Sequence, residues 1–103
     1  MSFSQSSQNY RLEGSRLFAQ VRRSDGSWAD GELDINNHVG NNDGVFDLHG
    51  TGVYDSADHA SWRLDGTTIV ALLRKADGSL GEEQFLRLDD HVSNNDGTLE
   101  FNK

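Results

Sequence analysis

The sequence predicts an all-β domain made of two copies of one unit, and three observations carry that prediction. The phrase His38-Val39-Gly40-Asn41-Asn42-Asp43-Gly44 returns fifty-three positions later as His91-Val92-Ser93-Asn94-Asn95-Asp96-Gly97. At an offset of fifty-two, Arg11-Leu12-Glu13-Gly14 matches Arg63-Leu64-Asp65-Gly66, and Arg22-Arg23-Ser24-Asp25-Gly26-Ser27 matches Arg74-Lys75-Ala76-Asp77-Gly78-Ser79. Five Asp-Gly pairs, at Asp25, Asp43, Asp65, Asp77 and Asp96, punctuate the chain where tight turns require positive φ. Repeats 1–50 and 51–103 are therefore expected to share one domain, 1–103, because half a chain of this size has too little apolar mass to bury its own faces.

In chain order, Leu17, Ala19 and Val21 alternate with Phe18, Gln20 and Arg22, so one face of this run is apolar. A turn at Asp25-Gly26 and a second run from Trp28 to Ile35 complete a hairpin. Its copy runs from Thr67 to Lys75, turns at Asp77-Gly78 and returns from Leu80 to Leu88, with Ile69, Ala71 and Leu73 as the inward face. The polar segments Asn36-Asn37-His38-Val39 and Asp89-Asp90-His91-Val92 each read as one helical turn opened by an Asn or Asp cap. A last short strand follows each Asn-Asp-Gly turn, Val45 to Leu48 and Thr98 to Phe101.

Composition excludes several functions. A formal charge of −8 opposes nucleic-acid binding, which needs clustered Lys and Arg in excess. The runs Arg22-Arg23 and Arg74-Lys75 are diluted by nearby acids and read as solvated strand ends. Without cysteine there is neither a disulfide nor a thiolate metal site. The start, Met1-Ser2-Phe3-Ser4-Gln5-Ser6, lacks a basic n-region and an apolar run, and no stretch approaches the ~20 apolar residues of a membrane span. No secretory signal and no membrane insertion are expected, and a cytoplasmic location is the default.

The ending from Leu88-Asp89-Asp90-His91 through Asn94-Asn95-Asp96-Gly97 to Phe101 resembles the C-terminal motif of the cyanovirin-N homologue family, mannose-binding lectins with two tandem repeats. The resemblance spans the chain: Phe3-Ser4-Gln5-Ser6-Ser7 with Leu12 is similar to the family's opening strand, and Asp25-Gly26-Ser27-Trp28 to its first hairpin. It implies an elongated, pseudo-symmetric fold of two lobes. Each lobe has a three-stranded sheet, a β-hairpin and short helical turns, and the hairpin of one repeat packs on the sheet of the other. One lobe would comprise about 1–38 plus 91–103 and the other about 39–90. Founding members carry a disulfide in each repeat, and Ser7 with Val21, and His59 with Leu73, stand at the matching positions, so packing must replace both bridges. The glycine-rich, proline-free junction His49-Gly50-Thr51-Gly52-Val53-Tyr54 weakens the expectation of a stiff hinge. A monomer is expected, with a domain-swapped dimer as the alternative assembly.

The resemblance further implies a non-catalytic lectin for high-mannose glycans, particularly α1-2-linked mannose, with one shallow site per lobe and no cofactor. The site in the lobe holding the termini would use Ser2, Gln5, Ser6, Arg22, Ser24, Asp25, Asn94, Asn95 and Asp96. Its counterpart would use Asn41, Asn42, Asp43, Thr51, Ser56, Arg74, Ala76 and Asp77, and would be weaker because polar groups are lost at Gly52, Ala57 and Ala76. Convergent amides, carboxylates and hydroxyls suit a neutral polyol, whose hydroxyls both donate and accept.

Other readings stand beside these. Asp43 and Asp96 can cap their own turns. His38 and His91 suggest a repeated structural hydrogen bond rather than a metal site. Trp28 and Trp62 read as core or rim packing before they read as sugar platforms. Asp89 and Asp90 are adjacent, a poor arrangement for a glycosidase pair that must face across ~5–9.5 Å. Asn41 to Asp47 alternates oxygen ligands like a calcium loop but lacks its bidentate Glu. The alternative to a lectin is an interaction or structural module that kept the fold and lost its sugar sites.

Overall fold

A computed structural model describes residues 3–102 as four small antiparallel sheets in a body of 50 × 23 × 18 Å. The first three-stranded sheet has the order β1-β2-β3, from Ser7–Glu13, Arg16–Arg22 and Trp28–Asp34. The second repeats it as β6-β7-β8, from Arg63–Asp65, Thr68–Arg74 and Leu80–Arg87, with β4 (Gly40–Asn42) and β5 (Val45–Asp47) forming a hairpin before it. The chain ends in the hairpin of β9 (Val92–Asn95) and β10 (Thr98–Phe101). The all-β expectation holds; helix is confined to 3-10 turns at Phe3–Ser6, Ile35–Asn37 and Val53–Ser56 and one α-turn at Leu88–His91.

The alternating residues Leu17, Ala19, Val21 and Ile69, Ala71, Leu73 are buried as their pattern requires, in one core cluster that also takes Phe3, Val53 and Leu99. All five Asp-Gly glycines have positive φ, but in three kinds of turn. At Asp43-Gly44 and Asp96-Gly97 both residues have positive φ, which defines the two-residue type I′ hairpin. At Asp25-Gly26 and Asp77-Gly78 only the glycine does, in longer loops closed by Arg23 N–H to Ser27 O at 2.8 Å and Lys75 N–H to Ser79 O at 2.7 Å. Gly66 opens a two-residue turn between Asp65 and Thr68, matched in the first repeat by Gly14 between Glu13 and Arg16.

Several expectations are corrected. The opening strand does not include Phe3–Ser6, which is a 3-10 turn because Phe3 plugs the core edge-on to Tyr10, at 5.6 Å; the strand starts at Ser7. β3 stops at Asp34 rather than Ile35, since the Asp34 carboxylate turns to accept from Asn36 N–H at 3.0 Å and Ser15 Oγ at 2.8 Å. Asp34 is thus the cap of the first helical turn. The second has no side-chain cap: its first residue is Leu88, preceded by Arg87, and the Asp89 carboxylate is committed to Ser4 N–H and Oγ, at 3.1 and 2.7 Å. The residue facing Leu73 is Ala57, not His59, which instead stacks on Tyr54 at 4.1 Å. Ser7 does face Val21.

Each terminal hairpin packs against a sheet formed by the other repeat's residues. A Cβ at Gly31 in β3 would come within 2.7 Å of Val21 Cγ2 and 3.0 Å of Leu99 Cγ, so the C-terminal hairpin lies close on the first sheet. Gly44 of the β4–β5 turn meets Gly81 and Lys75 of the second sheet in the same way. Between the lobes the chain crosses itself at Gly40 and Gly50, where a Cβ on Gly40 would be 2.8 Å from Thr51 N and 2.9 Å from Gly50 Cα. Backbone atoms cannot yield as a side-chain tip would, which accounts for glycine in this otherwise loose-looking junction. Among the described residues no helix is long and apolar enough to cross a membrane.

Candidate functional site

Two equivalent seams join three elements each: a 3-10 turn, the end of a sheet hairpin and an Asn-Asn-Asp-Gly turn. In the first, Asn94 Nδ2 donates to Ser6 Oγ at 3.1 Å and to the Arg22 carbonyl at 2.7 Å, while its Oδ1 accepts from Gly97 N–H at 2.8 Å. In the second, Asn41 Nδ2 donates to Ser56 Oγ at 3.0 Å and to the Arg74 carbonyl at 2.7 Å, and its Oδ1 accepts from Gly44 N–H at 2.8 Å. One amide thus closes its own turn and ties it to both neighbouring elements.

The aspartates differ between the seams. Asp96 Oδ1 accepts from Ser24 N–H at 2.8 Å and Ser24 Oγ at 2.9 Å. Asp43 Oδ1 accepts only the Ala76 N–H, at 2.8 Å, because alanine has no hydroxyl. Neither bonds its own turn, contrary to the capping alternative; that role falls to Asn94 and Asn41. Asp25 and Asp77 do close their own turns, each accepting from the N–H and hydroxyl of Ser27 or Ser79, at 2.9 and 2.6 Å. The Ser24 N–H and then its hydroxyl hold the Asp96 carboxyl below its ordinary 3.8, against repulsion from Asp25. Asp25 and Asp77 are lowered by the hydroxyl and N–H of Ser27 and Ser79.

The structure therefore gathers Ser6, Arg22, Ser24, Asn94 and Asp96 at the first seam, with exposed Gln5 beside Ser6. Arg22 contributes its carbonyl, while its guanidinium lies 5.7 Å above the Trp28 ring. Asn95 turns away to Glu100 Oε2, at 3.2 Å, and Asp25 stays within its loop. Ser2 lies outside the described residues. At the second seam Asn41, Asp43, Ser56, Arg74 and Ala76 converge, Asn42 is exposed and Asp77 stays within its loop. Thr51 precedes the 3-10 turn and makes no hydrogen bond to this group among the described residues. The counterpart of Gln5 is Asp55, which the sequence reading missed: Phe3–Ser6 and Val53–Ser56 superpose as turns at an offset of fifty, not fifty-two. Buried Phe3 and Val53 were the signal that could have fixed that alignment.

The remaining candidates resolve as structure. His38 and His91 share a stacking partner rather than a repeated hydrogen bond: both rings lie on Phe101, at 5.1 and 5.6 Å, and of the two rings only that of His91 hydrogen-bonds among the described residues, Nδ1 to Asn102 O at 3.0 Å. Trp62 is half-buried and donates from Nε1 to the Gly14 carbonyl at 2.7 Å, whereas Trp28 is 42% exposed. Asp90 lies 3.9 Å from Arg87 and Asp89 on Ser4, so the adjacent carboxylates face different partners. Among the described residues no three His, Asp or Glu cluster as a metal site.

The family model described as the CVNH domain matches residues 3–100. A cyanovirin-N homologue of Tuber borchii is 29% identical over 103 residues, covering 98% of this chain and 99% of that protein. Two solved structures share the fold at 25% identity: an MoCVNH3 variant in complex with (N-GlcNAc)4, with TM-score 0.84 and 96% and 95% coverage of this chain and that one, and a microvirin–mannobiose complex, with TM-score 0.83 and 97% coverage of each. With Asn-Asp-Gly turns lashed to both sheet hairpins and a family match over nearly its whole length, the chain belongs to the CVNH domain family.

Proposed function

We propose that this chain is a non-catalytic lectin for mannose-containing glycans, α1-2-linked mannose oligosaccharides foremost, acting as a monomer whose single domain spans 1–103. The observation that carries the reading is the first seam. It joins the Asp96 carboxylate to the Ser24 N–H and hydroxyl and ties the same turn through Asn94 to Ser6, next in sequence to the exposed Gln5, an array of donors and acceptors that suits a polyol. The microvirin complex with mannobiose supports this ligand class. The seam at Asn41 and Asp43 is the weaker site, because Ala76 supplies no hydroxyl where the first seam has Ser24. A second ligand, an N-acetylglucosamine oligomer, is favoured by the MoCVNH3 variant complex.

The test is an amide NMR titration with α1-2-mannobiose, repeated with (GlcNAc)4. The expected result is saturable shifts at Gln5, Ser6, Ser24 and Asn94 to Asp96, smaller shifts near Asn41 to Asp43, and loss of the first set in Asp96→Ala. Silence at both seams with both sugars would refute the lectin reading and leave an interaction module.

A further inference from the structure

The outer face of the first sheet carries a polar groove that neither seam uses. It is a depression of about 540 Å³ lined by Asn9, Arg11, Phe18, Gln20, Asp30 and Glu32. Its chemistry begins with a bulge. The β1–β2 register shifts between Gln8 and Arg11, and Asn9 sits at φ 53, a conformation asparagine tolerates better than most residues. The bulge brings two successive amides, Gln8 Nε2 at 3.0 Å and Asn9 Nδ2 at 2.9 Å, onto one acceptor, Gln20 Oε1. With that oxygen occupied twice, the Gln20 amide presents its two hydrogens and Asn9 presents its carbonyl. Across the sheet, the register partner of Gln20 is Asp30, whose carboxylate has no hydrogen bond or ion pair among the described residues. At the other end the Arg11 guanidinium lies over the Phe18 ring, 4.7 Å from its centroid.

We propose that this groove is a second saccharide site, separate from the turn seams, that takes a neutral oligosaccharide. The proposal rests on the carbohydrate-binding reading above and extends it to a new surface. Charge selects the ligand class: Arg11 pairs with Glu13 and Arg16 with Glu32, which leaves Asp30 as the one charge of the groove lining without an ion pair among the described residues. An anion finds no surplus cation there, and a metal finds no ligand cluster among the described residues. A pyranose has what the groove complements: vicinal hydroxyls that donate to Asp30 while accepting from Gln20, and a C–H face for the Arg11–Phe18 pair.

The repeat supplies a comparison: the second sheet pairs β7 with β8 as the first pairs β2 with β3, but its β6 is only three residues long and lacks the bulge of β1. Where the first sheet pairs Gln20 with Asp30 and Phe18 with Glu32, the second pairs Leu72 with Glu83 and Val70 with Phe85, and Phe85 is 62% exposed. The second sheet keeps a carboxylate, Glu83, where the first has Asp30, but has Leu72 where the first has Gln20 and Phe85 where it has Glu32, so the fold does not require the Gln20 amide on this face.

The test uses the full chain in amide NMR titrations, following backbone signals and the side-chain amides of Asn9 and Gln20. The probes are mannobiose, mannotriose, (GlcNAc)4 and maltotetraose, each at millimolar concentrations, with glucosamine as a cationic control. The expected result is that at least one neutral oligosaccharide shifts the groove signals saturably. That response should persist in Asp96→Ala and weaken by roughly tenfold or more in Gln20→Leu and in Asp30→Ala. Both groove variants lie on the outer face, and a dispersed spectrum verifies that they fold. Silence in the groove with all four neutral probes, response to glucosamine alone, or loss of the groove shifts in Asp96→Ala would overturn the proposal. A silent groove with responsive seams leaves the seam reading intact, and a responsive groove with silent seams overturns that reading instead.

Discussion

At the scale of single residues, a few side chains hold more than their own neighbourhood. Asp96 reaches across from the C-terminal turn to both donors of Ser24, seventy-two residues away in sequence, and its carboxyl titrates below 3.8 as a result. A carboxyl with a depressed folded-state pKa adds stability that is complete above its unfolded value and is lost as pH falls through the folded value. Asp96 should therefore release its grip on Ser24 only in acid, below 3.8. Ser24→Ala removes one of the two donors and should raise the Asp96 titration part of the way back to 3.8, as read by carboxyl carbon shifts; an unmoved midpoint would deny the hydroxyl its role. Ser7 is the converse case, a hydroxyl buried opposite Val21 without a hydrogen-bond partner. Ser7→Ala should stabilise the protein by about 1 kcal/mol in urea unfolding, since an unsatisfied buried hydroxyl costs on the order of 1–3 kcal/mol.

At the scale of elements, the strand pairs locate what replaces the covalent bridges implied by the resemblance. Val21 and Leu73 are fully buried, opposite Ser7 and Ala57 respectively. Ala57→Cys with Leu73→Cys should therefore oxidise readily and stabilise by about 3 kcal/mol, the usual scale for a loop of this length. His59→Cys with Leu73→Cys should stay reduced, which mass measurement under oxidising conditions will show. The same element-level view explains which strands could be read in advance. β2 and β7 carry alternation, and β3 and β8 return from the Asp-Gly turns that follow them, so their existence follows from pattern and turn spacing. β4, β6 and β9 are only three or four residues long, and Gly40-Asn41-Asn42 has no apolar periodicity at all. Such segments become strands because their partners, placed by type I′ turns for β4 and β9 and by the Gly66-Thr67 turn for β6, offer a ladder.

At the scale of the whole molecule, the two repeats are interlocked rather than strung in series. Leu99 of the second repeat presses on Gly31 of the first, the β4–β5 turn of the first meets Gly81 of the second, and Trp62 reaches Gly14 at 2.7 Å. Urea unfolding should accordingly be one transition, superimposable by circular dichroism and by tryptophan fluorescence, with a slope of about 1 kcal/mol per molar. A peptide of residues 1–50 should be unfolded on its own. Separate transitions for the two probes would mean that the lobes are independent.

The sequence by itself determined the duplication, the turn positions, the inward residues of the first strand of each long hairpin and the Asn-Asp-Gly segments on which the candidate site is built, because each rests on local chemistry: positive φ at glycine, a two-residue period, a repeated word. The tertiary structure decided what distance in sequence hides. It aligned the 3-10 turns at an offset of fifty and so made Asp55 the counterpart of Gln5; it put Ala57 opposite Leu73; it showed that Asn94 and Asn41, not the aspartates, close their own turns. It also assembled a groove from residues on three strands whose polarity, read along the chain, looks like ordinary solvated surface. Contacts between residues fifty to ninety positions apart depend on how two sheets are brought together, and no local pattern encodes that docking.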